Sequence, residues 1–489
     1  MMPIDLKKIK YKELGFFRFK KFAGRYLLTN EEGGHIFLTT ADFHRFLTGQ
    51  LDKNSPVGLK LMEQNFFKKK LNLSHVAQTY RRKKSFLFSG PSLHILVVTL
   101  RCNHRCIYCH ASAKKTTDGL NWDMTPQTAR QSLDIIFKTT SPTVIIEFQG
   151  GEPLLNWPVI ELVVKEAKAK AKKTGKNLEL RLVSNFSLLD DVKYHFLLKN
   201  KVSLCTSLDG PQKVHDQNRV LIDRQTGGSH RQVIKWLKRS HRDYPQLLKK
   251  GYIWQTAAII TVSRFSLPYY REIIDEYVKL GFNNIFLRPL DPFGLSKKIW
   301  NKIGYNTRDF INFYRRSLDY IIDLNLKGIK FEERFTKYFL TKILTDKDLN
   351  MVDWRSPCGA GLGQLAYNYN GDVYTCDEGR MLSMTGDENF RLGNVAQKTY
   401  KELVSHPVVR TTCSASCLIG LPGCHDCAYE PYCGVCPIYN YVEQKNIFGQ
   451  MPNNDRCRLS RAILDYIFKK LEDPKSRQVF LDWLDVKKS

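Results

Sequence analysis

The sequence has no run of 18 or more apolar residues, so no membrane-crossing helix is expected. Its opening stretch, MMPIDLKKIKYKEL, lacks the apolar core of a secretory signal, which points to a cytoplasmic protein. Acidic residues are scarce beside basic ones. There are 48 Asp and Glu against 76 Lys and Arg, a formal charge of +28. Such a balance attracts nucleic acid, anionic lipid or acidic peptide. Yet the basic residues are scattered, and KEAKAKAKK (165–173) reads as a solvated helix face. No zinc-finger, RRM or helix-turn-helix pattern accompanies the charge, so a nucleic-acid partner is not expected. Internal repeats and low-complexity tracts are absent too.

What is present is a chain too long for one core. At 489 residues, with 43% hydrophobic and 12% aromatic content, two or three domains are expected. Residues 1–88 read as a small α+β module. FFRFKKF, RYLLTN and HIFLT suggest short strands, and TADFHRFLTGQL and VGLKLMEQNFFKKKL have helical spacing. RRKK (81–84) reads as the linker that follows. Residues 89–310 alternate strand and helix, with candidate strands at 93–100, 143–149, 178–184, 202–208, 256–262 and 284–290. That alternation predicts a parallel sheet, a partial (β/α)6 barrel short of the eight strands of a complete one. Residues 311–350 read as a helical connector, 351–470 as a cysteine-rich unit and 471–489 as a C-terminal tail.

In a reducing compartment, thirteen cysteines read as metal ligands rather than disulfides. Three lie in one loop after the first barrel strand, as Cys102-x3-Cys106-x2-Cys109. A closed zinc site wants four ligands, and a disulfide wants two. Three thiolates suggest a centre with one position open, and thiolates suit iron–sulfur clusters. A second group runs Cys358-x12-Gly371-x4-Cys376, Cys424-x2-Cys427-x5-Cys433-x2-Cys436 and Cys457. Two C-x2-C knuckles of a zinc ribbon stand further apart than these, and the run resembles ferredoxin spacing instead. Cys205, in an apolar strand, reads as plain core.

Cys-x3-Cys-x-aromatic-Cys, with Tyr108 in the aromatic slot, resembles the signature of the radical S-adenosylmethionine (SAM) superfamily. The resemblance implies a four-iron cluster on Cys102, Cys106 and Cys109. Its open iron would chelate SAM, and electron transfer would release a 5′-deoxyadenosyl radical. It further implies SAM contacts from Tyr108 and from QGGEP (149–153), through Gly150, Gly151 and Glu152. Ser184 in VSN, Ser207, Asp209 and Arg219 in SLDGPQKVHDQNR, and Arg288 in FLRPL are further cofactor-site candidates.

The second cysteine group resembles the SPASM domain of peptide-modifying members. That implies one auxiliary four-iron cluster on Cys358, Cys376 and Cys436 and another on Cys424, Cys427, Cys433 and Cys457. Two departures stand out. The last spacing is x2 where the family usually has x3, and the first auxiliary cluster has no obvious fourth cysteine. Cys413, Cys417, a non-thiol ligand or an open iron are the options. By resemblance to sulfatase-maturing enzymes, Asp377 is a candidate base.

Segments spread over nearly the whole chain are similar to the B-type His-Xaa-Ser system radical SAM maturase. This implies a small ribosomally made precursor peptide as substrate. A sister radical SAM maturase and an electron donor such as flavodoxin or ferredoxin would be partners. The N-terminal module would suit a peptide leader added as a strand. The rival readings are a sulfatase-maturase-like enzyme acting on a protein side chain, a radical SAM enzyme acting on RNA, and a zinc-binding scaffold without activity.

Overall fold

A computed structural model describes residues 6–22, 24–68, 72–222, 227–252, 254–345, 347–348 and 354–485. The N-terminal module is an antiparallel sheet of β1 (Arg18–Phe22), β2 (Arg25–Thr29) and β3 (His35–Leu38), with β2 central. Strand β2 is buried on both faces. Tyr26 and Leu28 pack into the module's own core with Phe43, Phe46 and Leu61. Leu27 points the other way, into the main core.

Helices α1 (Thr40–Leu47) and α2 (Pro56–Glu63) start at Thr39 and Ser55, whose hydroxyls accept from Asp42 N and Gly58 N. The helix expected through residue 71 stops at Glu63. Asn65 adopts a left-handed φ of 62° and turns Phe66 and Phe67 into the module core. Helix α3 (Leu73–Lys83) contains most of the RRKK segment expected as a linker. Basic residues suit its last turn, where the helix dipole is negative.

The barrel strands are β4 (Leu93–Thr99), β5 (Thr143–Gly150), β6 (Asn177–Val183), β7 (Val202–Ser207), β8 (Ala257–Val262) and β9 (Leu287–Pro289). They are hydrogen-bonded in chain order, every pair parallel. Helices α4 (Pro126–Ile136), α5 (Trp157–Thr174), α6 (Asp191–Lys199), α7 (Ser229–Lys249) and α8 (Tyr270–Lys279) fill the crossovers. The expected partial (β/α)6 barrel is thus present. The sixth expected strand is broken, because Asn284–Ile285 leaves β9 to pair with Glu332–Glu333.

The connector consists of α9 (Thr307–Leu326) and α10 (Arg334–Leu344). The cysteine-rich unit then joins the barrel's own sheet. Strand β10 (Gln364–Tyr367) pairs parallel with β4, and β11 (Asp372–Tyr374) and β12 (Arg391–Asn394) follow antiparallel. The result is a nine-stranded sheet with β9 and β12 at its ends.

Helix α11 (Asp377–Ser383) follows β11, and α12 (Asp455–Leu471) packs against α9. The segment expected as a tail contains α13 (Pro474–Trp483), which buries Val479, Phe480 and Trp483 in the main core. The last residues, 486–489, lie outside the described ones. Among the described residues no helix is long and apolar enough to cross a membrane.

Candidate active site

Period-two alternation sets the lumen of the barrel. On β5, Val144, Ile146 and Phe148 are fully buried toward the helices, while Glu147 and Gln149 face inward. On β7, Ser203, Cys205 and Ser207 face inward, and on β8, Ala257, Ile259 and Thr261. Cross-strand register stacks them: Arg181 pairs with Glu147 and Ser203, and Cys205 with Val183 and Ala257. A complete eight-stranded barrel fills its interior with side chains. Here a cavity of about 500 Å3 remains, reached by Arg288, Asp291, Arg334 and, from α11, Asp377. Cys205 therefore faces this cavity half-buried; it is not the plain core residue expected.

The thiol loop leaves β4 beside the QGGEP turn. Gly151 N donates to Thr99 O at 2.9 Å and Glu152 N to Arg101 O at 2.8 Å. A Cβ on Gly150 would lie 2.1 Å from Thr99 O, and one on Gly151 2.3 Å from Arg101 O. The glycines are required by this backbone approach, whatever ligand they also meet. A second cavity, of about 100 Å3, is lined by Cys102, Cys106, Gly150, Gly151, Ser184 and Arg219.

Buried polar groups brace this cavity. Glu152 is fully buried and accepts from Leu154 N, Asn185 N and Ser184 Oγ, at 3.0, 2.8 and 2.8 Å. Burial pushes its carboxyl up to about 7 despite those donors. Asp209, also fully buried, accepts from Tyr108 Oη, from Asn218 Nδ2 at 3.1 Å and from Thr261 N at 3.2 Å. Arg219 stands 3.3 Å from Asp209, 4.0 Å from Cys106 Sγ and over the Tyr108 ring. Burial holds the Tyr108 hydroxyl well above its ordinary range, and the Asp209 charge adds to that.

Of the residues expected to meet SAM, Gly150, Gly151, Ser184, Ser207 and Arg219 line the small cavity. Glu152, Asp209 and Tyr108 stand behind it, and Arg288 lines only the larger cavity. Sequence reading missed Asn185, whose Nδ2 lies 4.0 Å from Cys102 Sγ. It also missed a bracing chain in which His104 and His215 share Ser229 Oγ at 2.8 and 2.9 Å. His110 and Asp291 in the lumen were missed as well. His104 and His110 flank the very cysteines that drew attention, whereas Asp291 and Ser229 have no local signal.

The remaining thiols fall into groups. Burial holds Cys376 well above its ordinary range, and charges on Glu378, then Cys436 and Cys358, add to that. Cys376 and Cys436 each cap a helix start, accepting from Gly379 N at 3.3 Å and Tyr439 N at 3.4 Å. Cys424 is pushed up to about 12 by burial and then by Cys457 and Cys427. These three, Cys433 and Cys436 line a cavity of about 30 Å3, so Cys436 borders both groups. Cys413 and Cys417 face one another, Cys417 Sγ lying 3.4 Å from Cys413 O. Asp377 reaches the lumen with Oδ1 held by Arg380 Nε at 2.7 Å.

Residues 96–250 match the family model of the radical SAM superfamily. The chain carries a radical SAM domain. A cysteine-type anaerobic sulfatase-maturating enzyme of Clostridium perfringens is 24% identical over 323 residues, 64% of this chain and 80% of that protein. The solved structure of native anSMEcpe with bound AdoMet and Cp18Cys peptide covers 79% of this chain and all of its own. Its TM-score is 0.63 at 21% identity. Streptococcus suis SuiB bound to precursor peptide SuiA covers 92% of this chain and 99% of its own, with TM-score 0.53 at 14% identity. The latter two likenesses concern the fold.

A radical SAM domain implies SAM and one four-iron cluster. Cys102 and Cys106 line the small cavity, and Cys109, outside its walls, is near enough to add its charge to both; three such thiols fit that group. Burial raises Cys102 well above its ordinary range and Cys106 to about 12, so the free thiols hold their protons. A bound cation reverses this logic by taking thiolates directly. His104 N at 3.3 Å from Cys102 Sγ supplies a donor to that sulfur. Among the described residues no three His, Cys, Asp or Glu side chains converge closely enough for a single ion. A four-iron cluster is broader than an ion and asks for less convergence.

Proposed function

We propose that this radical SAM protein modifies a peptide or protein substrate held in the barrel lumen. One observation carries the reading: the thiol cavity and the lumen adjoin, sharing Gln149, Val183, Ser207 and Arg219 as walls. A cofactor at the thiols would thus sit at the entrance of a polar chamber. When bound, the cluster supplies the electron that splits SAM into methionine and a hydrogen-abstracting radical. The chain's own residues do the rest. Glu152, fixed by Ser184 and Asn185, holds the turn whose backbone would meet the SAM amino group. Asp209 locks Tyr108 and Arg219 against the loop. Asp377, in the lumen wall, would accept a substrate proton.

The Cys358, Cys376 and Cys436 group and the Cys424, Cys427, Cys433 and Cys457 group are read as two auxiliary four-iron sites. The substrate class we favour is a ribosomal peptide with His-Xaa-Ser repeats, matured together with a sister radical SAM protein, with a flavodoxin or ferredoxin as the electron donor to the enzyme. The N-terminal module supports a leader-binding role, since β1 and β3 are outer strands of a three-stranded sheet. A second reading, side-chain oxidation of a protein, is favoured by Asp377 directly after Cys376 and by the sulfatase-maturating relatives.

Anaerobic, reconstituted protein is given SAM and dithionite, and 5′-deoxyadenosine is measured. It is then co-expressed with a His-Xaa-Ser peptide or a sulfatase fragment, followed by mass spectrometry. Formation of 5′-deoxyadenosine and a mass change on the peptide support the first reading. A mass change on the sulfatase fragment alone supports the second. No SAM cleavage from a fully loaded protein contradicts both.

A further inference from the structure

Two arginines at the lumen differ from the rest. Arg181 pairs with Glu179 at 2.7 Å and Arg219 with Asp209 at 3.3 Å. Arg288, on β9, and Arg334, at the start of α10, form no ion pair among the described residues, yet both line the cavity. They share one support. The Arg288 and Arg334 guanidinium carbons lie 5.7 and 5.4 Å from the centroid of the buried Phe286 ring. A cation–π contact of this kind holds a guanidinium beside a ring without using its donors. Arg334 gives one donor to the Tyr338 hydroxyl at 2.8 Å. The remaining donors of both groups stay available to the chamber.

Four acidic side chains, Glu147, Asp291, Asp377 and Glu378, line the same cavity, and none forms an ion pair with Arg288 or Arg334 among the described residues. Glu147 accepts from its neighbour Gln149 at 2.7 Å, and burial raises its carboxyl although Arg181 and Arg288 oppose this. Nor does position favour the SAM carboxylate, because Arg288 is absent from the walls of the thiol cavity.

We propose that Arg288 and Arg334 form a clamp for a carboxylate, and that this carboxylate is an Asp or Glu side chain of the substrate peptide. The proposal rests on the reading that a peptide enters the lumen. Two prepositioned planar forks match a carboxylate in a way that ammonium groups do not. An acidic residue held at this wall fixes the register of the peptide beneath the thiol cavity. The clamp thereby selects which neighbouring residue faces the radical.

The test uses full-length, reconstituted protein with SAM and no reductant, so that binding is read without chemistry. Octapeptide pools with one fixed position, Asp, Glu, Asn or Gln, are equilibrated by dialysis, and retention is read by mass spectrometry. Charge-assisted hydrogen bonds predict retention of Asp and Glu pools about tenfold or more above their amides. Arg288→Gln and Arg334→Gln should abolish the difference. Arg288→Lys and Arg334→Lys keep the charge and lose the fork, so a large loss there separates the clamp from the general attraction of a basic protein. Equal retention of acid and amide pools overturns the proposal, as does full discrimination in the lysine variants. SAM affinity measured on the same proteins separates the two carboxylates. Weakened SAM binding with intact peptide discrimination would assign the guanidiniums to SAM and overturn the clamp. A protein that discriminates acid from amide yet forms no 5′-deoxyadenosine keeps the clamp and loses the radical reading.

Discussion

Arg219 holds its guanidinium 3.3 Å from Asp209, a carboxylate with no solvent exposure that also receives Tyr108, Asn218 and Thr261. This ion pair joins the thiol loop, which carries Tyr108, to the far side of the barrel. Burial alone would lower Arg219, and the Asp209, Tyr108 and Cys106 charges outweigh it and raise it.

Removing one partner of a buried pair leaves a charge without compensation. Asp209→Ala should therefore destabilise the fold by about 3–5 kcal/mol in denaturant unfolding. SAM affinity should fall with it, because Tyr108 and Arg219 both lose their anchor. A variant within 1 kcal/mol of wild type, on the same ~3–5 scale, would show that the pair does not brace the site.

Gly150 and Gly151 make a sharper test, because the obstructing atoms are backbone. Alanine at Gly151 places a Cβ 2.3 Å from Arg101 O. Neither strand has a side chain that could yield. Gly151→Ala should cost about 3 kcal/mol, the upper end for overpacking, and displace the loop bearing Cys102. Iron retained after reconstitution should fall. Unchanged iron and stability would mean that β4 and β5 separate freely.

Acid should unfold the protein through buried, neutral histidines. Burial lowers His94 to about 3, and burial followed by Arg477 lowers His35 to about 4. His94 sits where β10 joins β4, its Nε2 donating to Pro91 O at 3.1 Å and its Nδ1 accepting from Tyr367 Oη at 3.2 Å. A folded pKa below the unfolded value of about 6.5 means that the unfolded chain takes the proton first. Their stability is whole above about pH 6.5 and is lost as pH falls toward 4 and 3. Each histidine should cost about 2 kcal/mol at pH 5. Urea unfolding at pH 7 and pH 5 checks this. His94→Gln should lose less stability between the two than wild type, and an equally steep loss would contradict the assignment.

Much of this architecture is legible in the residues. Strand–helix alternation predicts the barrel, and spaced thiols mark their loops. The lumen was legible in part: VSLCTSL alternates small polar and apolar residues, and that alternation turns Cys205 inward. The union of β10 with β4 was not, since QLAY is short and its partner lies far away in the chain. Arg334 opens a helix of the connector and carries no motif. Only the tertiary fold sets it beside Arg288 on Phe286.

We propose that the three thiol groups hold three four-iron clusters, one of them for SAM. Iron, sulfide and zinc per chain, on protein purified without oxygen, test it most directly. Three clusters give about twelve irons, and about eight when Cys102, Cys106 and Cys109 are all replaced by alanine. Zinc with little iron, even after reconstitution, would contradict it.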